Sequence, residues 1–206
     1  MTQLYLIRHG RQLSADAPDD QWLSEEQNAL SERGHDQARR LGQYLAARIK
    51  PDVLYASPIV RAQQTAQAVS DATGLPIQFD DRLREIRLNL PSDIAPNQIM
   101  EVWLNTRRYV DVPVYAGGEA WLGLQRRTVE VIDAIVAAHP DRKVAVVAHG
   151  GVIETLFFHF LGIPIERNLQ AFVNIHHTGI FHWRNFQIGE YSGWELLIAN
   201  DTRHLD

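Results

Sequence analysis

Three short stretches of this sequence combine side chains that could handle a phosphate group. Arg8-His9-Gly10 follows one apolar run, Ser57-Pro58 with Arg61 just beyond follows a second, and His149-Gly150-Gly151 follows a third. The guanidinium of Arg presents a planar fork that matches phosphate oxygens and stays charged at any relevant pH. A neutral imidazole can act as a nucleophile, and a protonated imidazole can hold an anion. Two histidines and two arginines together would therefore form a pocket of phosphate size.

Apolar patterns predict the strands and helices that would carry these stretches. Short apolar runs at 4–7, 53–56 and 144–148 each lead into one of the polar stretches, and two late strands are predicted at 179–183 and 194–199. Apolar residues at three- and four-residue spacing predict helices between the strands. The predicted helices span residues 31–49, 58–73, 97–107, 119–138 and 153–161.

This alternation predicts an α/β fold, a three-layer sandwich with a mainly parallel central sheet covered by helices on both faces. The length of 206 residues suits a single domain over residues 1–206. Prolines and the Gly117-Gly118 pair interrupt the alternation at 86–118, which we interpret as a small inserted cap or lid. Ligands of such sheets bind beyond the carboxyl ends of the strands. The three polar stretches should therefore meet at one edge.

The composition excludes several classes of protein. Lys and Arg number 20 against 25 Asp and Glu, a net charge of −5, which predicts no general attraction to nucleic acid or to a membrane surface. The chain has no cysteine, which excludes disulfides, thiolate nucleophiles and Cys-based metal motifs. The N-terminus lacks the pattern of a signal peptide, and we expect a cytoplasmic protein. Polar residues within the apolar region 144–165 argue against a membrane span.

The ordered motifs resemble those of the histidine phosphatase superfamily, in its phosphoglycerate mutase-like branch (branch 1). The similarity covers nearly the whole chain, at residues 4–10, 30–38, 57–66, 117–119, 146–153 and 197–205. The resemblance implies that His9 is the nucleophile that accepts the phosphoryl group. It implies that Arg8, Arg61 and His149 surround the phosphate oxygens, with His149 also part of the catalytic set. Glu85 lies where the family has the proton donor to the leaving group.

The sequence departs from the family pattern near this predicted site. Arg11 and Gln12 stand where an acidic and a hydroxyl residue are usual, Ala15 stands where Asn is frequent, and Ala120 stands where Ser is common. The leading hypothesis is a metal-independent phosphatase that acts on a small phosphorylated metabolite through a phosphohistidine intermediate. The departures at Gln12 and Ala15 favour hydrolysis over the alternative, a phosphoglycerate mutase-type phosphomutase.

Other interpretations of the chain and of single residues remain open. A non-catalytic phosphate-binding regulatory module is a third hypothesis, against which the intact set of predicted catalytic residues argues. No Gly-x-Gly-x-x-Gly follows the first strand, which argues against a nucleotide-binding Rossmann protein. The oligomeric state stays open, a homodimer included.

Several charged residues near the predicted site have competing interpretations. His176 and His177 are adjacent, so they would point to opposite faces of a strand, and no chelating partner stands nearby. We therefore predict no metal and no cofactor. A solvated face is the preferred interpretation for Arg11, Arg84 and Arg87. Alternative proton donors are Asp80, Asp81 and Glu119.

Overall fold

The central sheet contains six strands in the order β3-β2-β4-β1-β5-β6. In this computed structural model, which describes residues 1–15, 27–91, 94–166 and 172–206, they are β1 (Gln3–Arg8), β2 (Val53–Ala56), β3 (Ile77–Phe79), β4 (Lys143–Ala148), β5 (Ile180–Ile188) and β6 (Tyr191–Asp201). The first four strands pair in parallel, whereas β5 runs antiparallel to β1 and forms a hairpin with β6. The sheet is mainly parallel, as predicted, with an antiparallel hairpin at one edge.

Helices connect the parallel strands and cover the sheet. They are α1 (Glu32–Tyr44), α2 (Val60–Thr73), α3 (Ile99–Arg108), α4 (Trp121–Ala138) and α5 (Gly150–Phe160). The hydroxyl of Ser31 accepts a hydrogen bond from the Gly34 N–H and so caps the start of α1, which continues as a π-helical turn at Leu45–Ile49. Gly74 ends α2 with a φ of 75°, a left-handed conformation that glycine adopts without strain.

The core lies in two apolar clusters, one on each face of the sheet. Leu4 and Leu6 of β1 pack in the cluster that contains residues of α4 and α5, whereas Tyr5 and Ile7 pack in the cluster that contains residues of α1 and α2. Successive side chains of a strand point to opposite faces, so a strand buried on both faces is apolar throughout. This arrangement confirms the predicted three-layer α/β sandwich.

The element bounds differ from the predicted ones where local patterns were weak. Strand β3 was missed because it has only three residues, two of which are exposed. Helix α5 begins at Gly150, three residues before the predicted start, because Gly150 and Gly151 have low helix propensity and hide the first turn. The hairpin strands extend well beyond 179–183 and 194–199. The prediction stopped short because the outer ends mix polar residues with Phe186, Ile188 and Tyr191 and are partly or fully exposed.

The segment 86–118 contains α3, close to the helix predicted at 97–107, and residues 92–93 lie outside the described residues. Side chains of α3 line a cavity above the sheet edge, so the segment does contribute to a pocket. Its movement as a lid stays a prediction. Within the described part of the chain, no helix combines the length and the apolar composition that crossing a bilayer requires.

Candidate active site

The carboxyl ends of three neighbouring strands bring the predicted residues together. Strands β2, β4 and β1 are adjacent in the sheet, and Ser57, His149 and His9 each follow one of them directly. The His9 N–H donates to the carbonyl of Ala148 at 3.0 Å, which extends the β1–β4 ladder into the loops. The parallel sheet therefore places both histidine rings at one edge, with centroids 5.1 Å apart.

The loop after β1 is held firmly by α1 and α2. The Gly10 N–H donates to the hydroxyl of Thr65 at 3.0 Å, and that hydroxyl donates to the carbonyl of Arg61 at 2.7 Å. A Cβ at position 10 would lie 2.7 Å from the carbonyl oxygen of Gly34, which explains why glycine follows His9. These contacts fix the backbone beneath the His9 ring.

The His9 ring is oriented by hydrogen bonds at both nitrogens. Its Nδ1 lies 2.7 Å from the carbonyl oxygen of Gly10, and its Nε2 lies 3.1 Å from Nε of Arg61, which donates. Because a carbonyl can only accept, we assign the proton to Nδ1, which leaves the lone pair on Nε2. Burial is the main cause that holds the pKa of His9 well below its usual value, followed by the repulsion that a protonated His9 would meet from a protonated His149, from Arg61 and from Arg8. The ring is therefore neutral at physiological pH, and its lone pair on Nε2, which accepts from Arg61 here, is available for nucleophilic attack once a phosphate oxygen takes over that hydrogen bond.

Arg8 and Arg61 supply positive charge around this ring. Nη1 of Arg8 donates to the carbonyl of Ile175 at 2.6 Å, while its buried Nε has no hydrogen-bond partner within the described ranges. Burial lowers the pKa of Arg8 and nearby Glu85 opposes that change, but the group stays a cation. An unpaired buried N–H is unfavourable, so this position suits an anion that would accept the bond.

His149 presents a second unpaired donor on the other side of His9. Its Nε2 lies 2.8 Å from the hydroxyl oxygen of Ser57, which also accepts from the Ile59 N–H. We assign the Ser57 proton to Nε2, the acceptor within its reach, which puts the imidazole proton on Nδ1, for which the described residues offer no partner. Burial and the charges of Arg61 and Arg8 hold the pKa of His149 well below its usual value. The ring is thus a neutral donor suited to a phosphate oxygen.

Glu85 reaches the same edge from the loop after β3. Its Oε2 accepts from the Gly151 N–H at the start of α5, and its Oε1 accepts from its neighbour Ile86, each at 3.0 Å. Carboxylates are favoured at helix N-termini, where backbone N–H groups are unpaired. A side chain at position 151 would collide with the Glu85 carboxylate, so glycine there is a requirement of the site.

Arg127 holds the Glu85 segment, and the sequence offered no signal for this role. Its guanidinium donates to the carbonyls of Arg82 and Arg84 at 2.7 Å each and to that of Glu85 at 3.1 Å. It also forms a two-point ion pair with the Glu119 carboxylate, at 2.7 and 2.8 Å. The contacts cross between α4 and a distant loop, so only the tertiary structure reveals them.

The alternative proton donors are engaged or exposed. Glu119 is bound to Arg127. Asp80 caps the turn at residues 81–83 and pairs with Arg82, whose hydrogen bonds lower the pKa of the Asp80 carboxyl. Asp81 is 87% exposed at its side chain and lies 3.8 Å from Arg84. Glu85 lines the cavity that contains Arg8 and His9, whereas Asp80, Asp81 and Glu119 do not line it.

The adjacent histidines 176 and 177 lie outside the strands, before β5, so the expectation of two faces of a strand is wrong, and His177 lies near the site. His176 is exposed, whereas the ring centroid of His177 lies 5.8 Å from that of His9. Nε2 of His177 lies 2.9 Å from the amide oxygen of Gln12, so the unusual residue in the first loop contacts an unanticipated histidine. No group of three His, Asp or Glu side chains forms a metal-binding set in the described residues.

A cavity of about 480 Å³ opens over these groups. One part is lined by Arg8, His9, Arg61 and Glu85, and another by residues of α3 and α5. This volume suits a small ligand. The arrangement combines a neutral imidazole, fixed cations and a carboxylate, which are groups that can serve phosphoryl transfer.

Comparisons with known proteins agree with this chemistry. A family model described as the histidine phosphatase superfamily (branch 1) matches residues 4–194. A probable phosphoglycerate mutase GpmB of Yersinia pestis is 31% identical over 217 residues, covering the whole chain and 96% of that protein. A glucosyl-3-phosphoglycerate phosphatase of Mycolicibacterium vanbaalenii is 31% identical over 179 residues, covering 80% of the chain and 76% of that protein.

Solved structures share the fold over the full length. YhfR of Bacillus stearothermophilus superposes with a TM-score of 0.81 at 26% identity and covers 100% of both chains. A mycobacterial glucosyl-3-phosphoglycerate phosphatase in complex with VO3 superposes with a TM-score of 0.79 at 26% identity and covers 96% of this chain and 98% of its own. The relatives carry the names of both phosphatases and mutases.

Proposed function

This chain belongs to branch 1 of the histidine phosphatase superfamily, and on that premise we propose that it is a metal-independent phosphatase that hydrolyses a small phosphate monoester through a phosphohistidine at His9. The observation that carries the proposal is the neutral His9 ring, with its lone pair on Nε2 and Arg61 beside it. A histidine kept neutral by burial and bordered by cations suits attack on a phosphorus atom.

The first half-reaction transfers the phosphoryl group to His9. Arg8, Arg61 and the Nδ1–H of His149 bind the phosphate oxygens. The Nε–H of Arg61 then donates its hydrogen bond to an oxygen of the phosphoryl group instead of to Nε2 of His9. The negative charge of the bound phosphate favours the protonated form of the Glu85 carboxyl. Nε2 attacks phosphorus opposite the ester oxygen, the P–O bond breaks, and Glu85 gives this proton to the departing alcohol.

The second half-reaction releases phosphate and restores the ring. The Glu85 carboxylate takes a proton from a water molecule as that water attacks phosphorus, and the P–N bond breaks. Inorganic phosphate leaves, Nε2 regains its lone pair, and Glu85 is again protonated for the next cycle. Because Arg8 and Arg61 are fixed cations, they stabilise the charge of the transition state without a metal ion.

The phosphomutase remains the second candidate, because a relative 31% identical over the whole chain bears that name. A mutase must return the phosphoryl group to a bound acceptor and keep water out. Gln12 binds His177 here instead of offering a hydroxyl to the phosphate, which favours hydrolysis. Measuring free phosphate against phosphoglycerate interconversion with the same preparation separates the two activities.

Trapping the intermediate tests the proposal directly. We expect a labelled phosphate monoester, mixed rapidly and quenched in alkali, to leave a phosphoramidate that is stable in alkali and labile in acid. Peptide mapping should place the label on His9, and His9→Ala should abolish labelling and nearly all turnover while the protein stays folded.

A matched control uses His177, a histidine near His9 that has no role in the proposed reaction. His177→Ala removes a ring whose centroid is 5.8 Å from that of His9, and the label should stay on His9 in this variant. Label on His149, His177 or any non-histidine residue would contradict the assignment.

A further inference from the structure

A buried ion pair lines the same cavity as Arg8, His9, Arg61 and Glu85. Arg107 of α3 and Glu154 of α5 both line the cavity, with side chains 10% and 5% exposed, and Nη2 of Arg107 bonds Oε2 of Glu154. Nη1 of Arg107 donates to the carbonyl of Trp103 at 3.2 Å, and its guanidinium lies 4.4 Å from the ring centroid of Trp121. These contacts fix the pair on the cavity wall.

The ion pair lies where the alcohol part of a substrate would sit. Glu154 is three residues beyond Gly151, whose N–H holds the Glu85 carboxylate, so the two positions are neighbours on one face of α5, about 5–6 Å apart. In the proposed reaction, the phosphorus atom lies next to Nε2 of His9, and the ester oxygen lies next to the Glu85 carboxyl. The carbon chain beyond that oxygen then extends along the wall that carries Glu154.

Each partner of the pair has one buried polar atom without a hydrogen bond. Within the described residues, Nε of Arg107 and Oε1 of Glu154 have no partner, just as Nε of Arg8 and Nδ1 of His149 have none in the phosphate-binding part. Burial raises the pKa of Glu154, while Arg107 and the backbone N–H of Val173 act in the opposite direction. Unpaired buried polar atoms are unfavourable, so a ligand that satisfies both would bind preferentially.

The charges of the pair select a neutral group over an ion. An ammonium would meet Glu154 but also the guanidinium beside it, and a carboxylate would meet Arg107 but also the carboxylate beside it. A hydroxyl has one proton to donate to Oε1 and lone pairs to accept from Nε. It is therefore suited to both unpaired atoms at once.

Building on the proposed function, we propose that Arg107 and Glu154 bind a hydroxyl on the alcohol part of the substrate, so that the preferred substrates are phosphate monoesters of polyols. Ile99 and Trp103 of α3 line the same part of the cavity and would pack against the carbon chain. The inserted segment would thus contribute to substrate selection.

Two three-carbon esters test this inference. Glycerol 3-phosphate and n-propyl phosphate share chain length and leaving oxygen but differ in two hydroxyls. We expect wild-type kcat/KM to favour glycerol 3-phosphate by about 10- to 100-fold, because a site built to bond a hydroxyl discriminates strongly against the analogue that lacks it. 3-Phosphoglycerate, in which a carboxylate replaces the terminal alcohol, should be a poorer substrate than glycerol 3-phosphate.

Removing both charges together avoids leaving one buried and unpaired. In the double variant Arg107→Met, Glu154→Leu, we expect the ratio of kcat/KM for glycerol 3-phosphate to kcat/KM for n-propyl phosphate to fall below about 3. Turnover of n-propyl phosphate should persist. Glu154→Gln keeps an oxygen that accepts from a hydroxyl and should retain part of the preference. This single variant carries the test should the double variant fail to fold, as judged by thermal unfolding.

The outcomes separate this inference from the proposed function. No turnover of p-nitrophenyl phosphate by the wild type would reject both. Turnover of p-nitrophenyl phosphate with equal kcat/KM for the two three-carbon esters would reject the inference alone. A preference that is unchanged in the double variant and in Glu154→Gln, or a wild-type preference for 3-phosphoglycerate, would also overturn it.

Discussion

Gly151→Ala should displace the predicted proton donor, Glu85, without replacing its side chain. The added Cβ would collide with Oε1 of Glu85 and lie 3.2 Å from its Cδ, and it would also lie 3.3 Å from Cδ2 of buried Leu124. Leu124 belongs to the core and cannot retreat, whereas the Glu85 carboxylate borders the cavity. The carboxylate must therefore move, and its 3.0 Å hydrogen bond from the Gly151 N–H is lost.

The size of the effect follows from that displacement. Ordinary contact between heavy atoms is about 3.5–4.0 Å, so Oε1 must shift by about 1 Å or more. A misplacement of about 1 Å at a catalytic group can cost about 10²-fold in rate. This loss falls within the range of about 10²- to 10⁴-fold that a general acid contributes, so Glu85→Gln should cost at least as much.

The leaving group makes the assay specific for proton donation. An alkyl phosphate releases a basic alkoxide that needs a proton, whereas p-nitrophenyl phosphate releases a stable phenolate that needs little help. Phosphorylation of His9 should slow about 10²-fold for n-propyl phosphate in Gly151→Ala and only a few-fold for p-nitrophenyl phosphate. Single-turnover rates with both esters measure this ratio.

Gly150→Ala is the matched control on the same helix turn. Its Cβ would meet only Nε of Arg8, at 3.9 Å, so any loss should be equal for both esters and leave their ratio unchanged. Equal slowing of both esters in Gly151→Ala and Glu85→Gln would refute the reasoning, because Glu85 would then serve binding or shape.

Three further predictions concern metal removal, acid and a distant arginine. Activity should survive exhaustive treatment with EDTA, and vanadate should inhibit competitively, because Arg8 and Arg61 supply the charge; loss with EDTA and rescue by a divalent ion would contradict this. Because burial lowers the pKa values of His9 and His149, the unfolded chain binds more protons below pH 6.5, so the free energy of unfolding should fall on acidification. The fall should reach up to about 1.4 kcal/mol per pH unit for each ring, measured by denaturant titrations at pH 7 and 5.5, and His149→Asn should flatten it. Arg127→Met should lower the unfolding free energy by about 2–4 kcal/mol, since charge-assisted bonds to three carbonyls are lost, and it should slow alkyl esters more than p-nitrophenyl phosphate. If the denaturation midpoint and the ratio of the rates for the alkyl ester and p-nitrophenyl phosphate stayed unchanged, the Arg127 hydrogen bonds would be dispensable.

The architecture and the convergence of the three polar stretches at one sheet edge could be predicted from the amino-acid sequence alone. Strands buried on both faces must be apolar throughout, as at 144–148, and their carboxyl ends lie at one edge whenever the sheet is parallel. His9, Arg61 and His149 could therefore be predicted as neighbours before any coordinates, because each lies at or just beyond a recognisable strand end.

The pairing of the polar side chains depends on tertiary packing and could not be predicted from the sequence. The contacts of Arg127 with the Glu85 segment, of His177 with Gln12 and of Arg107 with Glu154 join positions 42 to 165 residues apart. No local periodicity encodes such pairs, because they depend on how separate helices and loops pack. Burial likewise arises from packing, and it is burial that keeps the His9 ring neutral. Among the described residues, packing also leaves Nε of Arg8 and Oε1 of Glu154 without a hydrogen-bond partner.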